Sequence, residues 1–154
     1  VLGCRFLKIP TLAFSNAVAP ALAVGQSFGR IGCFLVGDDY GKVSSVPWAI
    51  AFPNGAPPTF ERVHPTQLYE VGWLLPVALF LWWRRDKSPF LLGEYLVLNG
   101  AGRIVIENWR VNQKVFLGMT EPQLIGFALV CIGSGLWFYF LKTGRSMESA
   151  QATS

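Results

Sequence analysis

Charge is scarce in this chain. Of its 154 residues only 14% are Asp, Glu, Lys or Arg, where a water-soluble domain carries about 25%. Histidine occurs once, at His64, and the three cysteines, Cys4, Cys33 and Cys131, form no CxxC or Cys/His set. That leaves no ligand group for a structural zinc, and neither a metal site nor a cofactor is expected. The net charge of +4 comes in short clusters beside apolar runs, a pattern of membrane topology before nucleic-acid binding. No secretory leader with a charged start and a cleavage site stands out. Residue 1 is Val rather than Met, which fits a processed chain or a piece of a longer one.

Apolar surface is what the chain has in quantity. Hydrophobic residues make up 52% of it, with six Trp, four Tyr and twelve Phe, and the mean hydropathy is +0.40. Four stretches have the length to cross a bilayer: Thr11 to Val36, Gln67 to Trp83, Phe90 to Trp109 and Pro122 to Leu141. A crossing helix needs about 20 residues, or about 17 at the short limit. If all four cross, Arg5, Lys8, Arg84, Arg85, Lys87, Lys142 and Arg145 share one side, and Lys42, Arg62, Arg110 and Lys114 the other. The positive-inside bias then puts both termini in the cytoplasm. The expected fold is an all-α membrane protein of about four transmembrane helices. It forms one membrane domain over residues 1–145, with an outward loop at about 37–66 and a disordered tail at 146–154. Within the loop, Val46 to Phe52 is apolar and β-like, and Asn54-Gly-Ala-Pro-Pro58 is a turn signal, so a short β element is expected there. Pro20 and Pro76 interrupt the first two spans. Ala13, Ala17, Ala21 and Gly25, spaced by four, allow close helix contact.

Three polar constellations break the apolar pattern. The first is Gly29-Arg-Ile-Gly-Cys-Phe-Leu-Val-Gly-Asp-Asp-Tyr-Gly41. Its glycines permit close backbone approach, and Arg30 carries a rigid donor fork suited to phosphate or carboxylate. Asp38 and Asp39 bring negative charge near the outer boundary. The bland alternative is helix packing with a snorkelling arginine. The second is His64-Pro-Thr-Gln-Leu-Tyr-Glu70. Pro65 can start the next helix, with Thr66 and Gln67 satisfying its free amides. Glu70 falls about one turn inside the apolar run and needs a partner, Arg30 or Arg103 being the candidates. His64 is either a base or a solvated loop residue. The third runs through Asn99, Arg103, Glu107 and Arg110, each about one turn from the next. It is either a structural ion pair of Arg103 with Glu107 or an anion site in which Glu107 fixes Arg103. Gly25-Gln-Ser-Phe-Gly29 matches G-x-S-x-G as a string, but it lacks the strand-turn-helix context of a nucleophile.

Taken in order, these motifs resemble the prolipoprotein diacylglyceryl transferase family. The resemblance runs from Gly29-Arg30-Ile-Gly32 through Gly37-Asp38-Asp-Tyr-Gly41, then Pro47-Trp48-Ala and Phe52-Pro53. His64-Pro-x-Gln67-Leu-Tyr-Glu70 and Arg103-x-x-x-Glu107-x-x-Arg110 follow, with Gln123 after the last outer loop, so that residues 25 to 125 are covered. It implies a multi-pass bacterial inner-membrane enzyme that moves the diacylglyceryl group of phosphatidylglycerol to the thiol of a prolipoprotein lipobox cysteine. Arg30 would engage the lipid head group, Arg103 and Glu107 would be a second essential pair, and His64, a catalytic candidate as a base, would fall on the family's His-Pro-x-Gln-Leu-Tyr-Glu segment. Asp38, Gln67, Tyr69, Glu70, Asn99 and Arg110 are the remaining expected substrate contacts. Cys33 and Val36 depart from the family's usual asparagines. Its upstream His-Gly-Gly region, whose histidine is implicated in the chemistry, has no match, so the chain reads as the later spans of a seven-span enzyme, either a fragment or a divergent homologue whose activity has changed. Two other classes remain: a non-catalytic membrane protein that binds anionic lipid or assists assembly, and a transporter fragment.

Overall fold

A computed structural model describes residues 11–112, 114–116 and 118–143. The expected tail at 146–154 lies outside them, as do Cys4, Arg5, Lys8 and Arg145. Four α-helices carry the fold among the described residues: α1 (Thr11–Val36), α2 (Thr66–Arg84), α3 (Leu91–Ile106) and α4 (Glu121–Lys142). Between α1 and α2 lies the antiparallel pair β1 (Ile50–Phe52) and β2 (Thr59–Val63), with Ile50 opposite Val63. A second pair, β3 (Lys114–Phe116) and β4 (Met119–Thr120), precedes α4. The sequence reading anticipated the first pair and not the second.

The helices pack through small residues. On α1 the buried positions are Asn16, Ala19, Pro20, Ala23 and Ser27, a stripe with helical spacing. Ala19 and Ala23 meet Val77, Ala78 and Leu81 of α2 and Leu91 and Tyr95 of α3 in the core. The stripe of Ala17, Ala21 and Gly25 lies one step around the helix and lines an open apolar groove beside Leu75, Leu79 and Trp82. The contact allowed by that spacing is therefore made by the neighbouring stripe. Between α3 and α4 the backbones nearly touch, since a Cβ on Gly100 would stand 2.5 Å from the Gly126 carbonyl oxygen.

Polar bonds set the helices in register. Asn16 Oδ1 accepts from the Leu91 amide at 2.8 Å, so α1 caps the start of α3. Glu94 accepts from Arg84 through Nε and Nη2, both at 2.8 Å, from Ser88 Oγ at 2.8 Å and from Trp137 Nε1 at 3.2 Å. One carboxylate thus joins α2, α3 and α4 at the end expected to face the cytoplasm. At the other end, the amide of Lys42 donates to Trp109 O at 2.8 Å and that of Gly41 to His64 O at 2.8 Å. The segments that follow α1 and α3 are therefore stitched together, and those two helices run parallel.

Phe28, Leu35, Leu79, Trp83 and Phe138 all stand exposed on the helix exteriors, an arrangement that suits lipid and not water. Two helices, Ala13–Val36 and Glu121–Lys142, are long and apolar enough to cross a membrane by length and composition. α3 has 16 residues and rises about 24 Å, short of the ~30 Å hydrocarbon thickness. It stops earlier than the expected Trp109 because residues Glu107–Trp109 tighten into a single 3-10 turn.

Candidate functional site

The three constellations converge where α1 and α3 end and α2 begins. Arg30 Nε lies 2.6 Å from Glu70 Oε2, and Arg30 Nη1 lies 2.9 Å from Asp39 Oδ2. Arg110 Nη2 lies 2.6 Å from Asp39 Oδ1, and Arg110 Nη1 lies 3.6 Å from Glu70 Oε1. Guanidinium and carboxylate alternate around a closed ring of four. Each carboxylate spends its two oxygens on different arginines, so like charges never become neighbours. The Arg30, Glu70 and Arg110 side chains are largely buried, whereas that of Asp39 is 46% exposed.

Local backbone geometry explains why Asp39 and not Asp38 closes the ring. The amides of Gly37 and Asp38 donate to Cys33 O at 2.9 and 3.1 Å and end α1. Gly37 then turns at φ +75°, with Gly55 Cα 2.9 Å from where its Cβ would be. A side chain there would be strained and would clash. Asp39 also has positive φ, at 56°, a region that Asp tolerates better than most residues. Thr66 Oγ1 donates to Asp39 O at 2.8 Å, and Gln67 Nε2 donates to Asp38 O. Thr66 and Gln67 were expected to satisfy the free amides of α2. Instead they reach across to the turn and hold it. The Asp38 side chain lies beside the Cys33 thiol.

Burial alone raises the Asp39 carboxyl, but Arg110 and Arg30 outweigh it and hold the group below its ordinary value. A depressed folded pKa gives a contribution to stability that is complete above the unfolded value, about 3.9, and is lost as pH falls through the folded one. The stability difference between wild type and Asp39→Asn should therefore be flat from about pH 5 to 8 and shrink only below about pH 4. Thermal unfolding of both proteins across that range measures it. A difference that grew on acidification would contradict the pairing.

A cavity of about 260 Å³ adjoins the ring, lined by Gln26, Gly29, Arg30, Cys33, Glu70, Leu74, Asn99 and Arg103. Arg103 makes no ion pair or hydrogen bond among the described residues. The Arg103–Glu107 pair expected from helical spacing does not form. Glu107 accepts from Asn112 and approaches Arg110 Nε at 3.9 Å. Glu107 is still held on the Arg103 face by its amide bond to Arg103 O, but its carboxylate is taken by other partners: 3-10 geometry stacks residues three apart and brings Arg110 over it, and Asn112 donates to it from beyond the turn. Asn99, 9% exposed, also has no hydrogen-bond partner among the described residues. The cavity thus presents a free guanidinium and a free amide beside the paired Arg30, which is an anion site in chemical terms.

His64 does not line this cavity. Its Nδ1 is 2.9 Å from the Tyr69 hydroxyl, which also accepts from Trp48 Nε1 at 2.7 Å. Ser27 is buried with its hydroxyl donated to Ala23 O at 2.9 Å, so the G-x-S-x-G string presents no nucleophile. Gln123 completes a capping box with Thr120 at the start of α4. The cavity linings Gln26 and Cys33 and the ring member Asp39 lay outside the residues expected in the site. A helical wheel places Gln26 one turn before Arg30, a signal that was available.

A cavity lined by two arginines, among helices whose exteriors are apolar, is consistent with a helical membrane protein. The chain belongs to the prolipoprotein diacylglyceryl transferase family, whose model matches residues 1–139. That family is a bacterial membrane enzyme. A relative from Corynebacterium glutamicum is 34% identical over 92% of this chain and 50% of its own length. One from Clostridium tetani is 33% identical over 86% of this chain and 55% of its own. One from Desulfotalea psychrophila is 34% identical over 88% and 54%. Each is named phosphatidylglycerol–prolipoprotein diacylglyceryl transferase. The chain spans about half the length of the curated relatives it matches.

Proposed function

We propose that this chain supplies the phosphate-binding part of a phosphatidylglycerol–prolipoprotein diacylglyceryl transferase in the bacterial inner membrane. The observation that carries the reading is Arg103, a guanidinium without a carboxylate partner among the described residues, facing Arg30 across one cavity. In the reaction a substrate cysteine thiolate attacks the glyceryl carbon bonded to the phosphate oxygen. The C–S bond forms, the C–O bond breaks, and glycerol-1-phosphate leaves with the electron pair. Arg103 and Arg30 stabilise the charge gathering on that phosphate. The thiol must lose its proton first, since the thiolate is the nucleophile. His64 is assigned as the acceptor from beside the cavity rather than within its lining, with Nδ1 against the Tyr69 hydroxyl and Nε2 making no hydrogen bond among the described residues. Gln67, Glu70, Asp38 and Arg110 support the site, and Tyr69 orients His64.

The proposed topology has all four helices crossing as one membrane domain, with both termini cytoplasmic. Arg84, Arg85 and Lys87 lie on the inner side, and the two β pairs lie outside. Incubation of the purified protein with phosphatidylglycerol and a lipobox peptide tests the function. The expected product is a peptide heavier by one diacylglyceryl group, with stoichiometric glycerol phosphate. Lipid binding without thioether would leave a lipid-binding protein instead, and solute flux in vesicles without thioether would leave a transporter.

A further inference from the structure

The cavity has a two-level construction. Gln26 and Arg30 are four residues apart on α1, and Asn99 and Arg103 are four apart on α3, with all four side chains lining the same space. The two helices run parallel, so each amide sits one turn, about 6 Å, nearer the hydrocarbon centre than its arginine. Neither amide has a partner among the described residues. Gln26 Oε1 is sealed from solvent without a donor, and Nε2 is not among the sealed atoms. Leu74 lines the wall beside them.

We infer that Gln26 and Asn99 donate hydrogen bonds to the ester carbonyls of the diacylglyceryl group. This rests on the proposed function. In a phospholipid the ester carbonyls lie on the hydrocarbon side of the phosphate at about this spacing, and they accept without donating. With the phosphate at the level of Arg30 and Arg103, the carbonyls fall at the level of the two amides. An amide N–H left unpaired in a low-dielectric cavity is costly, so a carbonyl that satisfies it is selected over an ether oxygen, a poorer acceptor. Gln26 and Asn99 would therefore determine preference for ester-linked lipid and hold the transferred group still while the phosphate departs.

The test compares binding of diacyl phosphatidylglycerol with its dialkyl ether analogue, identical in head group and chain length, to the full chain in detergent. Wild type is expected to prefer the ester lipid by about tenfold, the equivalent of one net hydrogen bond. Gln26→Met and Asn99→Leu, close in shape but without N–H, are each expected to lower that ratio, and together to bring it near one. Both keep helix content measurable by circular dichroism, and the ratio is taken only from folded protein. Equal binding of the two lipids by wild type, or an unchanged ratio in both variants, overturns the inference. Arg103→Ala separates the two levels of the argument: it should weaken both lipids alike and preserve their ratio. If it weakened neither, the phosphate site itself would fall.

Discussion

Arg103→Ala should reduce thioether formation by about 10²–10³-fold, the usual cost of removing a donor aimed at developing charge. Helix content and the thermal midpoint should stay close to wild type. The separation of activity from folding follows from the geometry. Arg103 holds no ion pair or hydrogen bond among the described residues, so truncating it strands no carboxylate. Arg103→Lys should recover only part of the loss, because a lysine keeps the charge but not the planar fork that grips two oxygens. Arg30→Ala behaves differently, for Arg30 belongs to the ring and its loss exposes Glu70 and Asp39 as well. Lipidation rates and thermal melts of the three variants, measured side by side, check the assignment. A near-normal rate in Arg103→Ala would remove it.

Glu70→Ala should be the most damaging change to the fold, by about 3–5 kcal/mol, the range for breaking a buried ion pair from one side. Glu70 lies between Arg30 and Arg110. Without it, two largely buried guanidinium groups are left to share Asp39, the one exposed member of the ring. Glu70→Gln fills the space and still accepts one bond, so its cost should be clearly smaller. Arg110→Met should be less harmful in the Glu70→Gln background than in wild type, because the two positions share one network. Thermal unfolding in detergent of the single and double variants gives the coupling directly. Strictly additive effects would mean that the ring contributes nothing as a unit.

The sequence carried the helices well and the partners unevenly. Long apolar runs made α1 and α4 legible, since length and hydropathy decide them. The β element was readable because Asn54 to Pro58 marks a turn between apolar residues. Glu70 was predictable as the partner of an arginine because a lone carboxylate in apolar surroundings must find one. Three features escaped. Helical spacing put Glu107 with Arg103, but spacing cannot see competitors from beyond the helix, and the 3-10 turn brings Arg110 and Asn112 to that carboxylate. Asp38 and Asp39 are indistinguishable by composition; only the turn at Gly37 decides which carboxylate faces the arginines. The packing stripe of α1 was misplaced by one step, because alanines recur on two faces and only tertiary contact selects between them.

The bond from Asn16 to the first amide of α3 has a consequence far from where it sits. It ties two parallel rods at their bases, so heights along both can be counted from one datum. Arg30 lies 14 residues beyond Asn16 and Arg103 lies 12 beyond Leu91, which lifts them about 21 and 18 Å. The guanidiniums therefore arrive within about one lipid phosphate's width of the same plane, at about 1.5 Å of rise per residue. Adding a single residue to α3 below Arg103 would swing its fork about 100° around the rod, aiming it away from Arg30 and turning Glu107 with it, without removing any side chain.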